Sequence, residues 1–99
     1  MLEKTVERHL VNGIKKLGGI CYKFVSPGTT GVPDRIVIMP RGRIIFVELK
    51  TDTGRLSKIQ EYVIDQMRQR QADVRVLYGL EQVKRFIEEI EHGCSGDKK

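Results

Sequence analysis

The chain has 99 residues, 18 Lys and Arg against 13 Asp and Glu, a formal net charge of +5 and a pI of about 9.4. A hydrophobic share of 39% and a charged share of 31% describe one small globular domain of soluble type with a single core. No apolar run approaches the roughly 20 residues of a membrane span, and the charged, periodic start MLEKTVERHL is not a secretory signal.

Leu2, Val6, Leu10, Ile14 and Leu17 recur at helical spacing and Gly18-Gly19 supplies a stop, which predicts a helix from about Leu2 to Leu17. The β-rich run ICYKFV predicts a strand over Ile20 to Val25. A loop rich in turn formers follows, Ser26 to Pro33, and ends immediately before Asp34. DRIVIM and RIIFVELK read as the second and third strands, joined through Pro40, Arg41 and Gly42. Pro at the second position and Gly at a left-handed position predict a type I turn closing a three-residue hairpin. Met39 then faces Arg43, and counting back puts Asp34 opposite Glu48.

After TDTGRL, Ser57 reads as a helix N-cap with Gln60 three residues on. Ile59, Val63, Ile64 and Met67 form the apolar stripe of a second helix ending near Gln71. ADVRVLY predicts a fourth strand, with Val74, Val76 and Tyr78 alternating against Arg75 and Leu77. A last helix starts near Leu80, with Val83, Phe86, Ile87 and Ile90 inward. One domain is expected over residues 1–92 and a mobile polar tail over 93–99. The order α-β-β-β-α-β-α implies an α/β fold with a central mixed sheet flanked by helices. Cys21 and Cys94 lie far apart, so no disulfide framework or metal-ligand spacing is visible, and a reducing cytoplasm is the expected setting. The basic excess fits a polyanionic partner and, equally, a solvated lysine-rich surface.

The charges at the strand ends need compensation. Glu48 and Lys50, two apart on a strand, share a face, and Asp34 joins them if the turn count holds. Opposed Cβ atoms lie about 4.5–5.5 Å apart, so the two carboxylates repel and one is driven toward protonation. A divalent cation relieves that repulsion, and a few hard oxygen ligands suit Mg²⁺ or Mn²⁺. Lys50 is placed to position or activate an attacking water, or to neutralise charge on a phosphate. The simpler alternative is a cross-strand salt bridge of Asp34 or Glu48 with Lys50 or Arg35.

VPD, a hairpin and then VELK resemble the PD-(D/E)XK nuclease motif, and the element order matches that restriction-endonuclease-like core. More narrowly, GVPDRIVIMPRGRIIFVELKTDTGRLSKIQ resembles the VRR-NUC branch: a G-x-PD, a short hairpin, an E-x-K and a Gln at the start of the next helix. Here these are Gly31, Pro33, Asp34, Glu48, Lys50 and Gln60, within a resemblance running roughly from Glu3 to Ile90. It implies metal ligation by Asp34 and Glu48 with the backbone carbonyl of Leu49 as a third ligand, and a catalytic Lys50. It also implies a first-helix glutamate near the metal, either Glu7 on the border of the buried stripe or Glu3 one turn earlier. Gln60 either only completes the Ser57 cap or acts near the site, and the family pattern favours the second.

A phosphodiester nuclease must hold phosphates. Lys23, Arg35, Arg41, Arg43, Arg55 and Lys58 are expected around the site, and Ser26, Gly28, Thr29 and Thr30 offer hydroxyls and N–H groups; each also reads as ordinary surface. With no helix-turn-helix, zinc motif or aromatic platform in the sequence, recognition by backbone and shape is favoured. Small stand-alone members of this branch, typical of phages and bacteria, resemble archaeal Holliday junction resolvases and are expected to be homodimers. A two-fold dimer suits the approximate two-fold symmetry of a four-way junction. The expectation is a Mg²⁺- or Mn²⁺-dependent endonuclease that cuts branched DNA, leaves 5′-phosphate ends and works in the cytoplasm of a bacterium or phage-infected host. The alternatives are a flap, single-strand or end-processing nuclease with the same site, and a non-catalytic branched-DNA binding module.

Overall fold

The computed structural model describes residues 3–96. The chain forms helix α1 (Glu3–Lys16), strands β1 (Ile20–Lys23), β2 (Arg35–Ile38) and β3 (Ile44–Lys50), helix α2 (Lys58–Gln69), strand β4 (Val74–Tyr78) and helix α3 (Gly79–Gly96). The order anticipated from periodicity is the order found. The expected helix start at Leu2 and the residues after Gly96 lie outside the described residues, as do the side chains of Glu3 and Cys94.

α1 buries Val6, Leu10 and Ile14 along one stripe. It stops where the glycines predict: Gly19 N–H donates to the Ile14 carbonyl and Gly18 N–H to the Lys15 carbonyl, both at 3.0 Å. Gly18 takes φ 87, the left-handed residue that this two-bond helix ending requires.

The sheet order is β1-β2-β3-β4, antiparallel across the first two pairs and parallel between β3 and β4. One face carries Val37, Met39, Ile45, Val47 and Leu49 into the core, where they meet Val6, Leu10 and Ile14 of α1 and Val83, Phe86 and Ile90 of α3. The other face carries Ile20, Tyr22, Ile36, Ile38, Ile44, Phe46, Glu48 and Lys50, by register and alternation. α2 packs on this second face.

The hairpin register holds, since Met39 N–H donates to the Arg43 carbonyl at 2.8 Å. The turn type does not. Arg41 sits at φ 76, ψ 8, the third position of a type II turn, where type I would need a negative φ. Pro40 accepts the second position of either type, so it could not discriminate between them. Strand ends also move inward. β1 stops at Lys23, with one further bond from Phe24 N–H to the Asp34 carbonyl at 2.8 Å. In α2 only Ile64 is fully buried and Ile59 is exposed, because the helix covers only part of its face of the sheet. α3 continues through Gly96 instead of giving way to an irregular tail after residue 92; no proline interrupts the run.

Candidate active site

The last β2–β3 ladder pair is Arg35 opposite Val47, so the next pair is Asp34 opposite Glu48, on the face turned away from α1 and α3. One step further the ladder calls for Pro33 to exchange both backbone bonds with Leu49. Proline has no N–H to give, so the Leu49 carbonyl receives no ladder bond from it. Asp34 Oδ2 takes the Leu49 N–H instead, at 3.2 Å. Within an extended strand the N–H and C=O of one residue point to the same side, so the Leu49 carbonyl is directed past the end of β2, beside Asp34. The Pro-Asp pair thus removes a donor and supplies a carboxylate at one point.

Asp34 is exposed, whereas Glu48 is 2% exposed. Glu48 Oε2 accepts from Gln60 Nε2 at 3.1 Å and lies 3.6 Å from Lys50 Nζ. Its Oε1 is buried with no hydrogen-bond partner. Burial pushes the Glu48 carboxyl above its ordinary range, the Asp34 charge adds to that, and Lys50 pulls in the other direction. A buried carboxylate with one orphaned oxygen beside a second carboxylate suits a hard divalent cation. Mg²⁺ asks for only one or two carboxylates and takes its other ligands from water and substrate phosphate.

Gln60 is the third residue of α2. Ser57 Oγ accepts from Gln60 N–H at 3.2 Å, and Gln60 Oε1 accepts from Ser57 N–H at 2.9 Å. This is a complete capping box. The Ser57 N–H can only donate, which fixes the amide oxygen toward it and leaves the amide nitrogen for Glu48. The two roles weighed for Gln60 are therefore compatible in one rotamer. The loop before Asp34 rests on the same helix. Gly31, at φ 100, comes so close to α2 that a Cβ there would lie 2.9 Å from the Ile59 carbonyl oxygen and 3.1 Å from Val63 Cγ2.

The structure places Glu7 elsewhere. Its Oε2 pairs with Arg35 at 3.2 Å. Arg35, next to Asp34 in sequence, points to the opposite face and is largely buried against α1. Glu7 is thus engaged with a buried guanidinium, not gathered with Asp34 and Glu48, and Arg35 is not presented to solvent as a phosphate contact. Among the described residues no three His, Cys, Asp or Glu side chains converge on one point. Arg43 pairs with Asp73 at 3.4 Å. It lies at the hairpin end of the ladder with Arg41, five residues or roughly 17 Å along the strand from Glu48. Lys23, Arg55 and Lys58 are exposed at the site end, as are Thr29 and Thr30 in the loop leading to Asp34; Ser26 is half-buried. The sequence reading missed the Arg75 cluster, in which Arg75 bonds Asp73 at 2.6 Å and Glu89 at 2.9 Å over the Phe86 ring. Its parity with buried Leu77 was the available signal.

The VRR-NUC domain model matches residues 3–81. Over 48 residues the chain is 62% identical to "Putative nuclease p44" of Acyrthosiphon pisum secondary endosymbiont phage 1, and the chain spans about half the length of that relative, 52%. A solved structure named "VRR_NUC domain" superposes with a TM-score of 0.82 at 34% identity, covering 87% of this chain and 94% of that one. A second, named "VRR_NUC domain protein", superposes with a TM-score of 0.70 at 18% identity over 89% of this chain and 86% of the other, a likeness of fold. With the family model covering most of its length and a solved relative covered almost end to end, the chain belongs to the VRR-NUC domain family.

Proposed function

We propose that the chain is a Mg²⁺- or Mn²⁺-dependent DNA endonuclease that acts as a homodimer on branched DNA, four-way junctions foremost, in the cytoplasm of a bacterium or phage-infected host. The observation that carries the metal-dependent reading is the buried Glu48, held on one oxygen by Gln60 and Lys50 and orphaned on the other beside Asp34. Asp34, Glu48 and the Leu49 carbonyl would hold the cation. When bound, the cation offsets the repulsion between the carboxylates and stabilises negative charge gathering on a phosphate.

The chain's own groups do the rest. Gln60 orients Glu48, fixing which oxygen stays available. Lys50 shares the face of Glu48 and keeps part of its side chain in solvent, so its ammonium can meet a phosphate oxygen or hold the attacking water in line with the scissile bond. Lys23, Arg55 and Lys58, with Thr29 and Thr30, offer charge and hydroxyls to the backbone at the same end of the sheet.

The test is a side-by-side digestion of synthetic four-way junctions, flaps, linear duplex and single strands with and without Mg²⁺ or Mn²⁺. Paired symmetric incisions on the junction are expected, with Glu48→Ala abolishing cleavage while leaving DNA binding largely intact. Preferred cutting of flaps or single strands would move the substrate class and keep the site. No metal-dependent cutting of any DNA would end the nuclease reading.

A further inference from the structure

We propose that the uncovered half of the β-sheet is a docking surface for a second copy of this chain. Two rows of side chains cross three strands on the face opposite α1 and α3. Ile20, Ile38 and Ile44 form one, and Tyr22, Ile36 and Phe46 the next, by consecutive ladder pairs. All six are apolar or aromatic and none carries a charge. Antiparallel sheets with one wet face alternate apolar and polar residues along each strand, and β2 and β3 do not until Glu48 is reached. Their composition is that of strands covered on both sides. Yet Ile20 is 45% exposed, Tyr22 56% and Ile44 46%.

The occupant follows from the chemistry of the patch. DNA is held through its phosphates by cations, and these rows offer none, in a chain of net charge +5. An uncharged apolar sheet face is complementary to itself, and a two-fold pairing sets the same rows against each other as packed sheets. Val25, Ile59 and Tyr62 are the remaining exposed large apolar residues, and the last two lie on α2, the helix on this same face. With Ile20, Tyr22 and Ile44 they present on the order of 600 Å², comparable to the roughly 800 Å² each partner contributes to a standard interface. The next row along the strands is Asp34 with Glu48, so a partner seated here borders the candidate site. This inference gives the proposed homodimer its surface, and its test does not depend on DNA cleavage.

Sedimentation velocity and light scattering on the full chain across a concentration series read the outcome directly. The wild type is expected at twice the 11.4 kDa chain mass. Tyr22→Lys and Ile44→Lys, at positions already exposed, are expected to weaken self-association at least about 100-fold, because each substitution appears twice across a two-fold interface. Circular dichroism checks that they fold, and Tyr22→Ser replaces either variant that does not. Lys84→Glu on α3 should leave the dimer intact. A wild type that stays monomeric throughout, or a dimer that survives substitutions at both positions, overturns the proposal. So does a monomer in which Tyr22→Lys alters only DNA affinity, since the patch would then face nucleic acid. Loss of metal-dependent cleavage with the dimer intact would count against the nuclease reading alone.

Discussion

Gln60 ties the start of α2 to the floor of the candidate site: its amide oxygen accepts from Ser57 N–H at 2.9 Å while its amide nitrogen donates to Glu48 Oε2 at 3.1 Å. A helix cap and a carboxylate anchor share one side chain, so cap geometry sets where Glu48 points.

The two roles separate by substitution. Gln60→Glu keeps the capping box, which accepts Glu at that position, and sets a third carboxylate against buried Glu48. It is expected to leave thermal stability little changed and to lower cleavage roughly 10- to 100-fold, the usual cost of losing a group that orients a metal ligand. Ser57→Ala removes the cap, costs about 1 kcal/mol of stability and should retain most cleavage. Equal loss of cleavage in both variants would reduce Gln60 to a capping residue.

Glu48 itself should trade stability for function. A carboxylate removed from water with an orphaned oxygen disfavours the folded state when no cation is present. Glu48→Gln is therefore expected to raise the stability of the metal-free protein at neutral pH, by about 1–2 kcal/mol, while abolishing cleavage. Thermal melts give a readout apart from catalysis. Mn²⁺ at 100 times its dissociation constant should stabilise the wild type by about 2.7 kcal/mol, chelation should reverse this, and Glu48→Gln should not respond. A destabilised variant that still gains stability from Mn²⁺ would contradict the assignment.

Glu7 provides the sharpest test of the ligand set. Its pairing with Arg35 makes it the counterion of a mostly buried guanidinium whose Nε already lacks a partner. Glu7→Gln should cost about 1 kcal/mol, because Glu7 keeps part of its surface in solvent, and should leave the Mn²⁺-induced rise in melting temperature in place. Disappearance of that rise in a folded Glu7→Gln protein would make Glu7 a ligand after all.

The contrast between Asp34 and Glu7 explains what could be read from the chain. Asp34 opposite Glu48 follows from hairpin loop length and strand alternation, both local properties with a fixed period, and the register depended on the number of turn residues, not on the turn type. The position of Glu7 depends on how α1 is rotated over the sheet, which helical spacing alone does not determine. Arg35 held the missing signal: one residue after Asp34 it must point to the opposite, buried face, where it needs a carboxylate from α1. Ile59 failed for a related reason. A helical stripe shows which side of a helix is apolar, but not how far across the sheet the helix reaches.

Gly31 lets the loop that delivers Asp34 approach the helix that delivers Gln60. Gly28 and Gly31 both take positive φ, 85 and 100, so alanine strains the backbone at either position. Their surroundings differ. A Cβ at Gly28 meets nothing within 4 Å, whereas at Gly31 it meets the Ile59 carbonyl oxygen at 2.9 Å. That carbonyl belongs to the helix backbone one residue before Gln60, so the loop must give way, carrying Asp34 with it three residues later. Gly28→Ala should therefore cost about 1 kcal/mol with cleavage near wild type. Gly31→Ala should cost about 1–3 kcal/mol more and depress cleavage and the Mn²⁺ response together, measured by denaturant titration alongside the cleavage assay. Equal behaviour of the two variants would mean that the contact of Gly31 with α2 does not set the spacing between Asp34 and Gln60.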